Sequence, residues 1–127
     1  MRDVREGFTL KSAIETTFDV VGGKWKGVIL WKMLDVETIR FNELKRALGG
    51  KISSRILSKE LRMLCDEGLI ERKDYHSVPP KVEYCLTEYG KSIEAFMVPM
   101  NEWGLQHQSR KESKGEMIVN SKKMQKE

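Results

Sequence analysis

Ser54, Arg55, Ser58, Lys59 and Arg62 recur at i, i+1, i+4, i+5 and i+8, the spacing of one face of a helix. Arginine and lysine there can grip phosphates or read guanine edges, and small serines let a helix approach closely. Lys45, Arg46 and Lys51 lie just upstream, and only Glu60 opposes the positive charge between Lys45 and Arg62. Taken alone, such a face is also what the solvated side of an ordinary helix looks like. Its meaning depends on the elements that hold it.

The other reactive side chains assemble nothing comparable. The chain has no Gly-rich phosphate loop, no Ser or Cys nucleophile with a placed histidine, and no metal-ligand spacing, so neither an enzyme nor a cofactor or metal is expected. Cys65 and Cys85 are too few and too far apart for a disulfide framework or a zinc site. Cys65 reads as a packed thiol and Cys85 as a partly exposed bystander. His107 has no ligand partner at useful spacing.

Stepping along the chain, Ser12 and Glu15 form a capping box, which opens a first helix carrying Ile14, Phe18 and Val21 inward up to Gly22-Gly23. Lys24 to Leu34 is apolar almost all round, the pattern of a central buried helix. Ile39-Arg40-Phe41 suits a short strand. A third helix opens at Phe41 or Asn42 and ends at Gly49-Gly50. Ile52 to Glu67 follows, capped by Ser53 or Ser54, with Ile52, Ile56, Leu57, Leu61, Leu64 and Cys65 on its buried side. This is the segment that carries the basic face.

Leu69 to Tyr75 and Lys81 to Leu86 read as two strands, and Val82, Tyr84 and Leu86 alternate with Lys81, Glu83 and Cys85. Between them His76-Ser77-Val78-Pro79-Pro80 makes a proline-stiffened loop. Thr87 caps a long last helix with Ile93, Phe96, Met97, Met100 and Trp103 on one side, which Pro99 should kink or split.

The order is therefore helix, helix, strand, helix-turn-helix, hairpin, long helix: an α+β, mainly α, winged helix-turn-helix. The helix over Ile52–Glu67 would enter a major groove, with the hairpin as a wing. Candidate contacts to double-stranded DNA are Asn42, Lys45, Ser53, Ser54, Arg55, Ser58, Lys59, Arg62, His76 and Lys81. Whether Arg55 and Lys59 read bases or phosphates is open in the sequence, and His76 is as readily an idle loop residue. The stripe of Ile93, Phe96, Met97, Met100 and Trp103, with Phe18 from the first helix, is the candidate interface of a homodimer. Trp25, Trp31 and Trp103 are read as core packing in preference to a pocket for a small-molecule effector.

Gly22-Gly23-Lys24-Trp25, Ile39-Arg40-Phe41-Asn42-Glu43-Leu44, Val78-Pro79-Pro80-Lys81-Val82-Glu83-Tyr84, and Leu86-Thr87 with Gly90 closely resemble the HxlR family of MarR-like bacterial winged-helix regulators. The resemblance spans Ser12 to Gly104. It implies a homodimer built from the first and last helices, DNA reading by the third and fourth helices and a wing, and control of transcription. Many members carry a cysteine at the start of the first helix that senses electrophiles or oxidants. Here Ser12 and Ala13 stand at that place, and serine has no thiolate chemistry.

A net charge of +4 is only weak support for a polyanionic partner. No apolar run approaches the ~20 residues of a membrane span, and Met1 to Phe8 is too polar for a secretory signal. A cytoplasmic protein is expected, with residues 1–11 a flexible start, 12–109 the winged-helix domain with its dimerisation helices, and 110–127 a flexible charged tail. A sequence-specific regulator acting on a pseudo-palindromic operator is the leading reading. The alternative is a winged-helix adaptor that binds another protein.

Overall fold

The computed structural model describes residues 4–5, 8–9 and 12–115. They divide into two units, Met1–Ser92 and Ile93–Glu127. In the first, a two-residue antiparallel ladder joins β1 (Val4–Arg5) to β2 (Phe8–Thr9). Then come α1 (Ala13–Val21), α2 (Lys26–Met33), α3 (Phe41–Ala47), α4 (Ser54–Asp66), β3 (Ile70–Asp74), β4 (Val82–Leu86) and the short α5 (Glu88–Lys91). The second unit holds α6 (Glu94–Ser113).

The core of the first unit comes from the periodic apolar residues. Ile29, Leu30, Met33, Leu44, Ile52, Leu57, Leu61 and Leu64 are all but sealed from solvent. The central helix α2 lies against α1, α3 and β4, and α4 lies against β3. Ile56, placed on the buried side of α4 by its spacing, is 38% exposed, because Leu57, Leu61 and Leu64 alone span the contact stripe. Ile14 and Phe18 depart further: each is 60% exposed, so α1 turns apolar surface outward in the single chain.

Helix starts follow the local chemistry. The Ser12 capping box is formed, the Ser12 N–H donating to the Glu15 carboxylate at 3.0 Å and its hydroxyl accepting from Glu15 N–H at 3.4 Å. The α3 start uses one half of the same device, with Arg40 N–H donating to the Glu43 carboxylate at 2.9 Å. Ser53 caps α4 by accepting from Ile56 N–H at 3.1 Å. Ser53→Ala should therefore cost ~1 kcal/mol, read as a lower urea midpoint with an unchanged m-value.

The turn between α3 and α4 runs through Gly49 (φ 87°) and Gly50 (φ 71°). Both lie in left-handed backbone, where glycine carries no Cβ penalty. Their N–H groups donate to the carbonyls of Arg46 and Lys45, each at 2.9 Å, which satisfies the end of α3 and swings the chain into α4.

β3 and β4 pair antiparallel, with Arg72 opposite Tyr84 and Glu71 opposite Cys85. The strand expected over Ile39–Phe41 contracts to one bridge, Ile39 to Tyr84, made by reciprocal bonds of 2.9 and 2.8 Å. Arg40 is already committed to the start of α3, so the ladder stops there.

The long helix expected after Thr87 is two helices. Ser92 spends both its N–H (3.1 Å) and its hydroxyl on the Tyr89 carbonyl, which ends α5 as a tight turn. Pro99 does not split α6: the helix is continuous from Glu94 to Ser113. Ala95, whose carbonyl loses its donor at Pro99, is exposed and open to water. Because α6 reaches Ser113, the charged tail begins inside a helix, and residues 116–127 lie outside the described residues.

Candidate nucleic-acid interface

The helix-turn-helix of α3 and α4 presents one continuous polar side. Ser54, Arg55, Ser58, Lys59 and Arg62 are all exposed, while Leu57, Leu61 and Leu64 on the same helix are buried. Glu60, the acid within this stretch, is drawn away. Its carboxylate pairs with Lys26 of α2 at 2.9 Å, with the two side chains only 17% and 16% exposed. That pair ties α4 to the central helix and leaves the outward face uniformly positive.

The expected contact residues fall into different positions. Asn42 is exposed on α3 and lines a shallow depression of about 420 Å³ with Arg40, Arg46 and Pro80. Lys45 is half-buried and donates to the Ser54 hydroxyl at 3.1 Å, so it bridges the two helices. The Ser53 hydroxyl already accepts the capping bond, leaving its proton and one lone pair to offer. Arg46, part of the basic cluster in the sequence, and Arg72, expected to add charge on the first wing strand, also line depressions on this side, and Arg40 joins them without having been singled out as a contact. Arg72 lies two residues after the buried Ile70 and opposite the buried Tyr84, on the sheet face that meets α4.

The wing between β3 and β4 is braced from within. Tyr75 donates its hydroxyl to Glu83 at 2.9 Å, and that bond pushes the phenol pKa up by holding the proton. The Lys81 ammonium sits 4.5 Å from the Tyr75 ring centre and 3.9 Å from Glu83. Lys81 is thus laid along its own hairpin. His76 adopts positive φ (51°), and its N–H donates to Asp74 at 2.8 Å. Its ring is 83% exposed. Ser77 donates to the Pro79 carbonyl at 2.8 Å, and Val78 stands at the tip, 98% exposed.

Of the residues expected at an interface between copies, Phe18 (60%), Met100 (46%) and Trp103 (65%) are exposed and Phe96 is half-buried. Ile93 and Met97 are 8% and 5% exposed, so they have little surface left to give. Trp103, expected in a packed core, stacks on His107 with ring centres 5.0 Å apart. Trp25 and Trp31 are half-buried.

The two cysteines are free, Cys65 on α4 and Cys85 on β4. Cys65 faces the side of Ile70, Arg72 and Tyr84, whereas Cys85 pairs with Glu71 on the alternate side and donates to its carboxylate at 3.6 Å. Burial is the main reason both thiol pKa values are raised, with Asp66 adding to the effect at Cys65 and Glu71 at Cys85. Both should therefore alkylate slowly at pH 7 to 8, with rates still climbing above pH 9. Oxidant should produce no intrachain disulfide, since Cys65 sits on α4 toward Ile70 and Tyr84 while Cys85 alternates to the other side of the strand beside Glu71. Iodoacetamide kinetics and mass spectrometry of the intact chain read both outcomes. Among the described residues no group of His, Cys, Asp or Glu could hold a metal ion, and no helix is long and apolar enough to cross a membrane.

A helix-turn-helix with an exposed basic second helix, followed by a two-stranded wing, defines a winged helix-turn-helix protein. The profile of the HxlR-like helix-turn-helix family matches residues 20–112, and the chain belongs to that family. YdeP of Bacillus subtilis, an HTH-type transcriptional regulator by name, is 45% identical over 97 residues, covering 76% of this chain and 74% of YdeP. YybR of the same organism is 47% identical over 91 residues, covering 72% and 71%. Among solved structures, the redox regulator HypR in its reduced form superposes with a TM-score of 0.74 at 45% identity, covering 80% of this chain and 99% of HypR. The chain is accordingly a transcriptional regulator of HxlR type and not an enzyme.

Proposed function

We propose that this regulator acts in the cytoplasm as a homodimer on a pseudo-palindromic DNA site, with α4 in the major groove and the β3–β4 wing on the flanking backbone or minor groove. The observation that carries the proposal is the outward face of α4: Ser54, Arg55, Ser58, Lys59 and Arg62 exposed together, with Glu60 withdrawn onto Lys26. A major groove admits an α-helix, and only that groove gives each base pair a distinct pattern of donors and acceptors. An adaptor that binds protein would need no such uniform face.

Homodimerisation is supported by apolar side chains that the single chain leaves uncovered. Ile14 and Phe18 of α1 are each 60% exposed, and Met100, Trp103 and Leu105 of α6 are 46%, 65% and 56% exposed. Exposed apolar faces such as these, each within its own unit, mark association surfaces. A twofold dimer then reads two half-sites with centres ~34 Å, or one helical turn, or a multiple of it, apart.

Arg55 stands in the first turn of α4, where recognition helices meet base edges. Arg55→Ala should weaken binding to the preferred duplex by ~1–3 kcal/mol while leaving random duplex nearly unaffected. Equal weakening on both, measured by fluorescence anisotropy, would give Arg55 a purely electrostatic role. No weakening on either would count against α4 as the reading helix.

A further inference from the structure

Between α4 and the wing sheet lies a groove of about 580 Å³ that begins at Ser58 and Arg62 of the α4 face and runs to the base of the wing. Arg62 and Ser58 line it from the helix, and Arg72 from β3. Ile70, Tyr84 and Cys65 line it as well, of which Ile70 and Tyr84 are only 3% and 8% exposed. Glu71 also reaches its edge; its carboxylate accepts from the Cys85 thiol at 3.6 Å and keeps its negative charge, so the lining holds two guanidinium groups against one carboxylate.

Two guanidinium groups facing one concavity repel each other unless an anion lies between them. Compensation within the chain is partial, one lining carboxylate against two guanidinium groups. Arg72 has only a long pair with Asp74, 3.9 Å, and Arg62 has no ion-pair partner among the described residues. The nearly buried Ile70 and Tyr84 side chains lower the local dielectric, which strengthens whatever charge pairing occurs there. Arginine forks bind phosphate oxygens in pairs, and a serine hydroxyl adds a further donor. On a duplex, the strand of backbone that separates a major groove from the adjacent minor groove passes between a recognition helix and its wing.

We propose that this groove is an oxyanion subsite that receives a DNA backbone phosphate, gripped by Arg62, Arg72 and Ser58. The assignment rests on α4 entering the major groove. It makes the wing base, and not only the wing tip, part of the DNA contact, and it gives Arg72 the role of holding the wing at a fixed distance along the backbone.

The test uses the full-length Cys85→Ser protein, in which Cys65 is the sole thiol and lies in the groove. Two quantities are measured: the salt dependence of duplex binding with and without Arg72→Gln, and the rate of Cys65 alkylation with duplex or with inorganic phosphate alone. Arg72→Gln is half-exposed at the outset and should leave the thermal midpoint unchanged. It is expected to lower the slope of log K against log salt by ~0.9, one phosphate, and to weaken preferred and random duplexes alike by roughly three- to tenfold near 0.1 M salt. Duplex should also slow Cys65 alkylation severalfold. An unchanged slope with unprotected Cys65, in a protein whose binding still falls with Arg55→Ala, overturns the subsite and leaves α4 as the reading helix. An unchanged slope with protection by inorganic phosphate alone assigns the groove to a free anion and overturns the DNA assignment. Absence of any duplex binding by the parent protein removes both readings together.

Discussion

Lys59→Glu is expected to reduce DNA affinity by ~10²-fold or more, about 3 kcal/mol, without altering stability by more than ~0.5 kcal/mol. Lys59 is exposed in the middle of α4 and makes no ion pair among the described residues. Its reversal therefore removes nothing that holds the fold. It places a carboxylate four residues after Arg55 and three before Arg62, within reach of both on the helix surface. The introduced charge repels phosphate directly and also draws two of its neighbours into intrahelical pairs. Three contributors to the basic face are weakened by one substitution. Circular dichroism and anisotropy on the same sample separate the two effects. Binding to the preferred duplex within twofold of the parent would show that the α4 face is only solvated surface.

Gly90→Ala should destabilise the protein by ~2–4 kcal/mol, lowering the melting temperature by roughly 10 °C. Intrinsic propensity argues the other way, since alanine in a helix is favoured over glycine by ~1 kcal/mol. Packing decides the sign here. The Leu69 carbonyl accepts from Thr87 N–H at 3.0 Å and lies against the Gly90 backbone, where an added Cβ would overlap it. Thr87 binds the same junction, donating its hydroxyl to Gly68 at 2.7 Å and accepting from Gly90 N–H at 2.8 Å. The start of β3 and the start of α5 are thus bonded backbone to backbone, and nothing flexible is present to move aside. A melting temperature equal to or above that of the parent would refute this account of the contact.

The parts of the fold that were legible in the sequence are those set by local periodicity and capping. Leu57, Leu61 and Leu64 identify α4 and, by exclusion, its basic face; Ser12, Ser53 and Thr87 mark helix starts that the structure confirms. Alternation along Val82–Leu86 gave the inward side of the wing, with Tyr84 and Leu86 buried. The features that sequence did not reveal depend on distant partners. Lys26 and Glu60 are brought together only when α2 meets α4, and Arg72 becomes a groove residue only through its register with Tyr84. Ile14 and Phe18 follow the helical spacing of core residues, yet each is 60% exposed, because a one-dimensional pattern marks an apolar face without showing what covers it.

Two local errors have plain physical causes. Pro99 was expected to kink or split the helix, and the split does not occur: a proline in an exposed helix loses one bond to a carbonyl that water can satisfy. The actual break at Ser92 arises because Ser92 claims the Tyr89 carbonyl twice, an effect of a hydroxyl turning back on its own helix.

The most direct test of the central claim is repeated selection of bound duplexes from a randomised pool by the full-length protein. If α4 reads the major groove in a twofold dimer, the pool will converge on an inverted repeat with half-site centres ~10 base pairs or a multiple apart. The enriched duplex should bind at ~10⁻⁸ to 10⁻¹¹ M at physiological salt, against ~10⁻⁴ to 10⁻⁶ M for the starting pool. A pool that keeps its starting composition through successive rounds would contradict sequence-specific recognition by this chain.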